Sequence, residues 1–183
     1  MYFPIFIDLT GKRVLVVGAG MVAARRIRVL REFAGQITVL APQICPQIWE
    51  QRQEARSDCR KDLPRGGDSA PCVIEIRQKK FCGSDLTDFD LVLAATDDAA
   101  LNREIAALCK SRGIPVNVAS EQALCDFQFP SIIKEENLVI AVNASGRDHR
   151  LVKETRKRIE QCLYKGRCPS LYKEEGEPKE EPQ

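Results

Sequence analysis

Residues 14–30 read VLVVGAGMVAARRIRVL, and few folds accommodate that order of residues. Val14–Val17 is a β-branched apolar run with the length of a strand buried on both faces of a parallel sheet. Gly18 and Gly20 then permit a turn tight enough to bring backbone against a ligand, and Ala23 lets the following helix pack close to the strand. The result is Gly-x-Gly-x-x-Ala between a strand and a helix, the context in which backbone N–H groups and a helix dipole converge on the pyrophosphate of a dinucleotide. The acidic residue that usually ends the second strand and binds the adenosine ribose is missing. Leu40 and Ala41 stand in its place, which leaves ribose recognition to backbone or to Gln43. Arg25 and Arg26 leave NADP open beside NAD.

Further along, QITVLAP, CVIEIRQ, DLVLAAT and IPVNVAS read as strands. Between them, residues 21–33, CPQIWEQRQEAR and AALNREIAALCKSRG read as helices, the last ending at Gly113. The basic side chains Arg25, Arg26, Arg28 and Arg31 are expected to point outward. The alternation implies a parallel sheet with helices on both faces. SDCRKDLPRGGDSAP has turn residues and charge without periodicity, and reads as a mobile surface loop. In AATDD, which ends a central strand, Thr96 and Asp97 are placed to face the nicotinamide ribose, while Asp97 or Asp98 can cap the next helix.

After residue 120 the pattern changes. Residues 127–133 and 138–142 read as two strands joined by KEEN, a hairpin suited to pairing subunits, and RLVKETRKRIEQCLY as a basic amphipathic helix. The expected layout is an α/β Rossmann-like parallel sheet over 1–115, a small strand-rich dimerisation segment over 116–148, a C-terminal helical segment over 149–168 and a disordered tail over 169–183.

Composition narrows the function classes. With 28 Lys and Arg against 26 Asp and Glu, the net charge of +2 gives no strong pull toward nucleic acid. No apolar run nears the roughly 20 residues of a membrane span. The N-terminus has no basic region ahead of an apolar core, so the expected location is cytoplasmic. None of the eight cysteines forms a Cys-x-x-Cys pair and His149 is the one histidine, so no metal site is expected. Cys109 reads as a buried small hydrophobe, and Cys59 and Cys72 as exposed thiols in the loop.

Taken together, YFPIFIDLTGKRVLVVGAGMVAARRI, DLVLAATDDAALNREI, GIPVNVA, CDFQFPSII and LVIAVNASG resemble the precorrin-2 dehydrogenase / sirohydrochlorin ferrochelatase family, the N-terminal part of siroheme synthase. The resemblance covers most of the chain. It implies a homodimer, NAD as hydride acceptor, oxidation of precorrin-2 to sirohydrochlorin and, in some members, insertion of ferrous iron. By matching position it implies cofactor contacts at Gly18, Gly20, Met21, Val22, Pro42, Gln43 and Thr96. A substrate with eight carboxylates suits a groove lined by Arg147, Arg150 and Lys153. Two departures stand out. Ser120 occupies the position of an aspartate credited in the family with both dehydrogenation and chelation, which makes Asp126 the candidate to substitute. GRDH replaces a Gly-x-Ser-Pro turn ahead of the last helix, where His149 is a candidate base, iron ligand or plain exposed helix start. Those departures also motivate a second reading, a homologue that binds NAD or tetrapyrrole as carrier, regulator or accessory subunit and does little chemistry.

Overall fold

The computed structural model describes residues 2–60, 72–135 and 138–165. Strand β1 (Arg13–Val17) sits at the centre of a five-stranded sheet with β2 (Gln36–Leu40), β3 (Val73–Arg77), β4 (Leu91–Ala94) and β5 (Val116–Val118). The order is β3-β2-β1-β4-β5 and all pairs are parallel. Val14 and Val16 point into one core, and Leu15 and Val17 into a second on the opposite face. All four are almost fully buried, as an unbroken apolar strand requires. Helices α1 (Met21–Leu30) and α2 (Pro46–Arg60) cover the first face, and α3 (Ala99–Ser111) the second.

The chain order reverses between β1 and β4, the switch point at whose carboxyl edge an open α/β sheet binds its ligands. Asp90 secures the bottom of this region. Its carboxylate accepts from the Arg13 amide at 2.8 Å and from Lys12 at 3.1 Å. The Arg13 amide bond, with help from the Lys12 side chain, holds the Asp90 carboxyl below the usual carboxylate range.

Several boundaries differ from expectation for local reasons. Helix α1 stops at Leu30 instead of residue 33, because the amides of Glu32 and Phe33 turn back onto Val29 and Leu30 carbonyls in a tighter coil. Helix α2 continues to Arg60 and absorbs the start of the expected loop. The rest of that loop, residues 61–71, lies outside the described residues, as do the Cys59 side chain, residues 136–137 of the hairpin turn and the tail. Cys72 is not an exposed thiol. It is 5 % exposed and packs into the core beneath α1 and α2. Cys109 is fully buried, and burial pushes its thiol up to about 11.

Beyond the sheet, β6 (Ser131–Glu135) and β7 (Leu138–Val142) form an antiparallel hairpin, and α4 (His149–Lys165) packs on it. The first of these strands starts four residues later than expected, after Pro130, which has no amide to offer a ladder. The cover is thin: of the hairpin's apolar residues only Ile133 is buried. Residues 2–8 run along the surface with Phe3, Ile5, Phe6 and Ile7 exposed. Among the described residues no helix is long and apolar enough to cross a membrane.

Candidate cofactor crevice and adjoining cleft

The glycine turn is built by two different constraints. Gly18 has φ +102°, and a Cβ there would overlap the Ala95 carbonyl oxygen and lie 2.5 Å from its carbon. Only glycine lets the ends of β1 and β4 approach this closely. Gly20 is the N-cap of α1 with ordinary extended backbone, φ −86° and ψ −169°, and a Cβ there would meet nothing within 4 Å. The space above it is open, no side chain caps the helix, and its first turn holds no acidic residue. Met21 and Val22 are exposed on this turn, whereas Ala23 is buried against the strand. An uncapped helix start with positive dipole and clear space fits a diphosphate. Pro42 and Gln43 are exposed just past β2, while Leu40 and Ala41 are buried.

The end of β4 shows how the two aspartates divide their work. Asp98 caps α3, accepting from Ala100 at 2.9 Å and Leu101 at 3.0 Å. Asp97 is exposed and has no hydrogen bond or ion pair among the described residues. Thr96 is tied down by Asn102, a residue that the sequence reading did not single out. The Thr96 hydroxyl donates to Asn102 Oδ1 at 2.7 Å, and Asn102 Nδ2 donates to the Thr96 carbonyl at 3.0 Å. The same Nδ2 reaches Ser120 Oγ at 3.2 Å. Asn102, only 1 % exposed, therefore links the strand edge expected to face the nicotinamide to the position of the missing aspartate.

Ser120 lines a cleft of about 270 Å³ between the end of β5 and the hairpin–α4 layer. Arg26, Asn117, Gln128, Asp148 and His149 also line it. Arg26 corrects an expectation, since it points inward from α1 and not to solvent. Its Nη1 donates to Asn117 Oδ1 at 2.6 Å, and its guanidinium lies 5.2 Å from the Phe129 ring centre. Burial, chiefly, holds Arg26 below the usual arginine range; guanidinium remains charged even so. Asn117 is fixed in turn by donating to the Phe127 carbonyl at 2.7 Å.

The other expected site residues fall elsewhere. Asp126 is outside the cleft lining, and its carboxylate accepts the Val116 amide at 3.0 Å, pinning the start of β5. Arg147, Arg150 and Lys153 are exposed and do not line the cleft, although their neighbours His149 and Val152 do. Arg150 is paired with Glu154 at 2.9 Å. The altered GRDH turn remains well formed. Gly146 has φ +71° and lies against Gln122, whose amide donates to the Ser145 carbonyl at 2.9 Å, and Asp148 caps α4 by accepting from Leu151 at 2.7 Å. Among the described residues, no group of three or more His, Cys, Asp or Glu is arranged to hold a metal ion.

An NAD(P)-binding family model matches residues 5–131. The chain is 36% identical over 162 residues to a siroheme synthase of Methylococcus capsulatus and 38% identical over 162 residues to one of Thioalkalivibrio sulfidiphilus. Each alignment covers 88% of this chain but only 31% and 30% of the relative, so the chain spans about a third of the length of these synthases. Among solved structures, SirC, a precorrin-2 dehydrogenase, superposes with a TM-score of 0.67 at 26% identity, covering 89% of this chain and 71% of the other. The glycine turn, the switch point and these matches together place the chain in the NAD(P)-binding family that comprises precorrin-2 dehydrogenases and the N-terminal part of siroheme synthases.

Proposed function

We propose that the chain is an oxidoreductase of the siroheme pathway that oxidises precorrin-2 to sirohydrochlorin with NAD. The observation that carries this reading is the Asn102 bridge, which connects Thr96 at the cofactor edge to Ser120 in a cleft that also holds a cation and an imidazole. In this reading Gly18, Gly20, Met21 and Val22 surround the diphosphate, Pro42 and Gln43 border the adenosine ribose, and Thr96 and Asp97 border the nicotinamide ribose. Bound NAD supplies the hydride acceptor.

The oxidation also releases a proton, which needs an acceptor in the cleft. The Ser120 hydroxyl receives a hydrogen bond from an amide and has no base beside it among its described partners, so its role is to orient substrate. Asp148 is engaged as a helix cap. His149 lines the cleft without a hydrogen-bond partner among the described residues, and an imidazole nitrogen can accept a proton. His149 is therefore assigned the proton. Replacing it with Gln is expected to lower kcat by about 10²-fold, as for loss of a general base. Adding Ser120→Asp to that variant should restore part of the rate by returning a carboxylate to the cleft. Steady-state NADH formation from precorrin-2 measures both; an unchanged kcat in the His149→Gln protein removes His149 from the mechanism.

The cleft's volume lies below the roughly 300–1,000 Å³ usual for small-molecule sites, so one chain encloses only an edge of a tetrapyrrole. Arg147, Arg150 and Lys153 are proposed to meet carboxylates that project beyond that edge. The thinly covered hairpin and the exposed Phe3, Ile5, Phe6 and Ile7 support a homodimer. Light scattering should give twice the 20.5 kDa chain mass; a monomer at micromolar concentration would contradict this part of the proposal.

A further inference from the structure

Two side chains in the wall of the cleft have donor capacity left over among the described residues. The Arg26 guanidinium uses one nitrogen on Asn117 and rests its face near Phe129, and its remaining N–H groups have no carboxylate partner among the described residues. Of its neighbours, the Cys125 thiol favours the charged guanidinium, and Arg25, another cation, opposes it. Gln128 lines the same cleft, and its side-chain Nε2 is buried with no hydrogen-bond partner among the described residues. A buried amide donor without an acceptor is costly, and a half-buried arginine without a counter-ion equally invites one.

From this pairing we infer that Arg26 and Gln128 form a carboxylate subsite at the inner wall of the cleft, which takes one acid side chain of the bound substrate. The arginine supplies charge and a planar fork that matches a carboxylate, and the glutamine amide supplies a further donor. Asn117 and Phe129 hold the guanidinium in place before any ligand arrives, so little side-chain freedom is lost on binding. This subsite differs from the exposed Arg147, Arg150 and Lys153, which stand outside the lining. It would fix which acid arm of a polycarboxylate enters first, and hence which ring edge faces Ser120. The identity of that arm's parent as a tetrapyrrole rests on the function proposed above; the carboxylate site itself does not.

The test uses the full chain and two probes. Uroporphyrin, an eight-carboxylate macrocycle, is titrated by fluorescence against wild type, Arg26→Gln and Gln128→Glu, with NAD affinity and thermal midpoint measured on each protein. Propionate is titrated against wild type while the side-chain NMR signals of Arg26 Nε and Gln128 Nε2 are followed. The expected result is saturable movement of both signals with propionate, and at least tenfold weaker uroporphyrin binding in both variants at unchanged NAD affinity. Equal uroporphyrin affinity in folded variants overturns the subsite and leaves the tetrapyrrole reading standing. Propionate binding without uroporphyrin binding supports the subsite and overturns the tetrapyrrole reading. Failure of both probes overturns both.

Discussion

Gly20→Asp is expected to abolish NAD binding while leaving the fold intact or slightly firmer. The N-cap backbone at φ −86° suits any residue, and an added Cβ meets no atom within 4 Å, so nothing among the described residues resists it. Aspartate is a better N-cap than glycine by a few tenths of a kcal/mol. Its carboxylate would accept the helix amides that a diphosphate needs, and would place like charge in the crevice. Losing two charge-assisted hydrogen bonds costs about 3–6 kcal/mol, or roughly three orders of magnitude in affinity. Calorimetry with NAD and a thermal melt on the same sample separate the two effects. Retained NAD affinity would move the diphosphate away from α1.

Two residues earlier, Gly18→Ala should do the opposite and damage the fold first. The new methyl group would overlap the Ala95 backbone carbonyl in a region of φ that a side chain disfavours, and both residues directly follow central strands. Such overlap, with strain added, belongs among substitutions that cost more than about 4 kcal/mol. That is a large share of the ~5–15 kcal/mol by which a domain is stable. Soluble expression and urea denaturation provide the readout. A variant within about 1 kcal/mol of wild type would mean that β1 and β4 do not approach as described.

The contrast between these glycines also marks what the sequence made readable. The strand–turn–helix unit is local: Val14–Val17, the two glycines and Ala23 carry their meaning within ten residues, and the structure places each as its chemistry requires. Asp98 was likewise legible as a cap, because capping involves only the next three residues. The cleft was not legible in the same way. Ser120 and His149 reach one cavity only through the return of the hairpin, a tertiary event with no local signature.

Asn102 was overlooked as one more polar residue in a helix, yet a signal existed. It falls on the same stripe as Ile105, Ala106 and Cys109, all buried, and a polar residue on an apolar face needs partners. Arg26 had a similar mark. It lies three residues after Ala23 and four before Leu30, both buried, so its side chain leaves the helix beside the core-facing stripe. Reading charge alone sent it to solvent. Asp126 shows the reverse case, a carboxylate whose sequence context offered chemistry and which, in the structure, accepts a backbone amide outside the cleft lining.

The most direct test of the whole account is a single-turnover experiment in the absence of oxygen, in which the NAD-loaded chain is mixed with precorrin-2 and followed at the absorbance of NADH. The account predicts one NADH for each sirohydrochlorin formed, at a rate well above that of the protein-free mixture. Sirohydrochlorin appearing only at the protein-free rate, with no NADH although both ligands bind, would contradict it and leave a binding protein in its place.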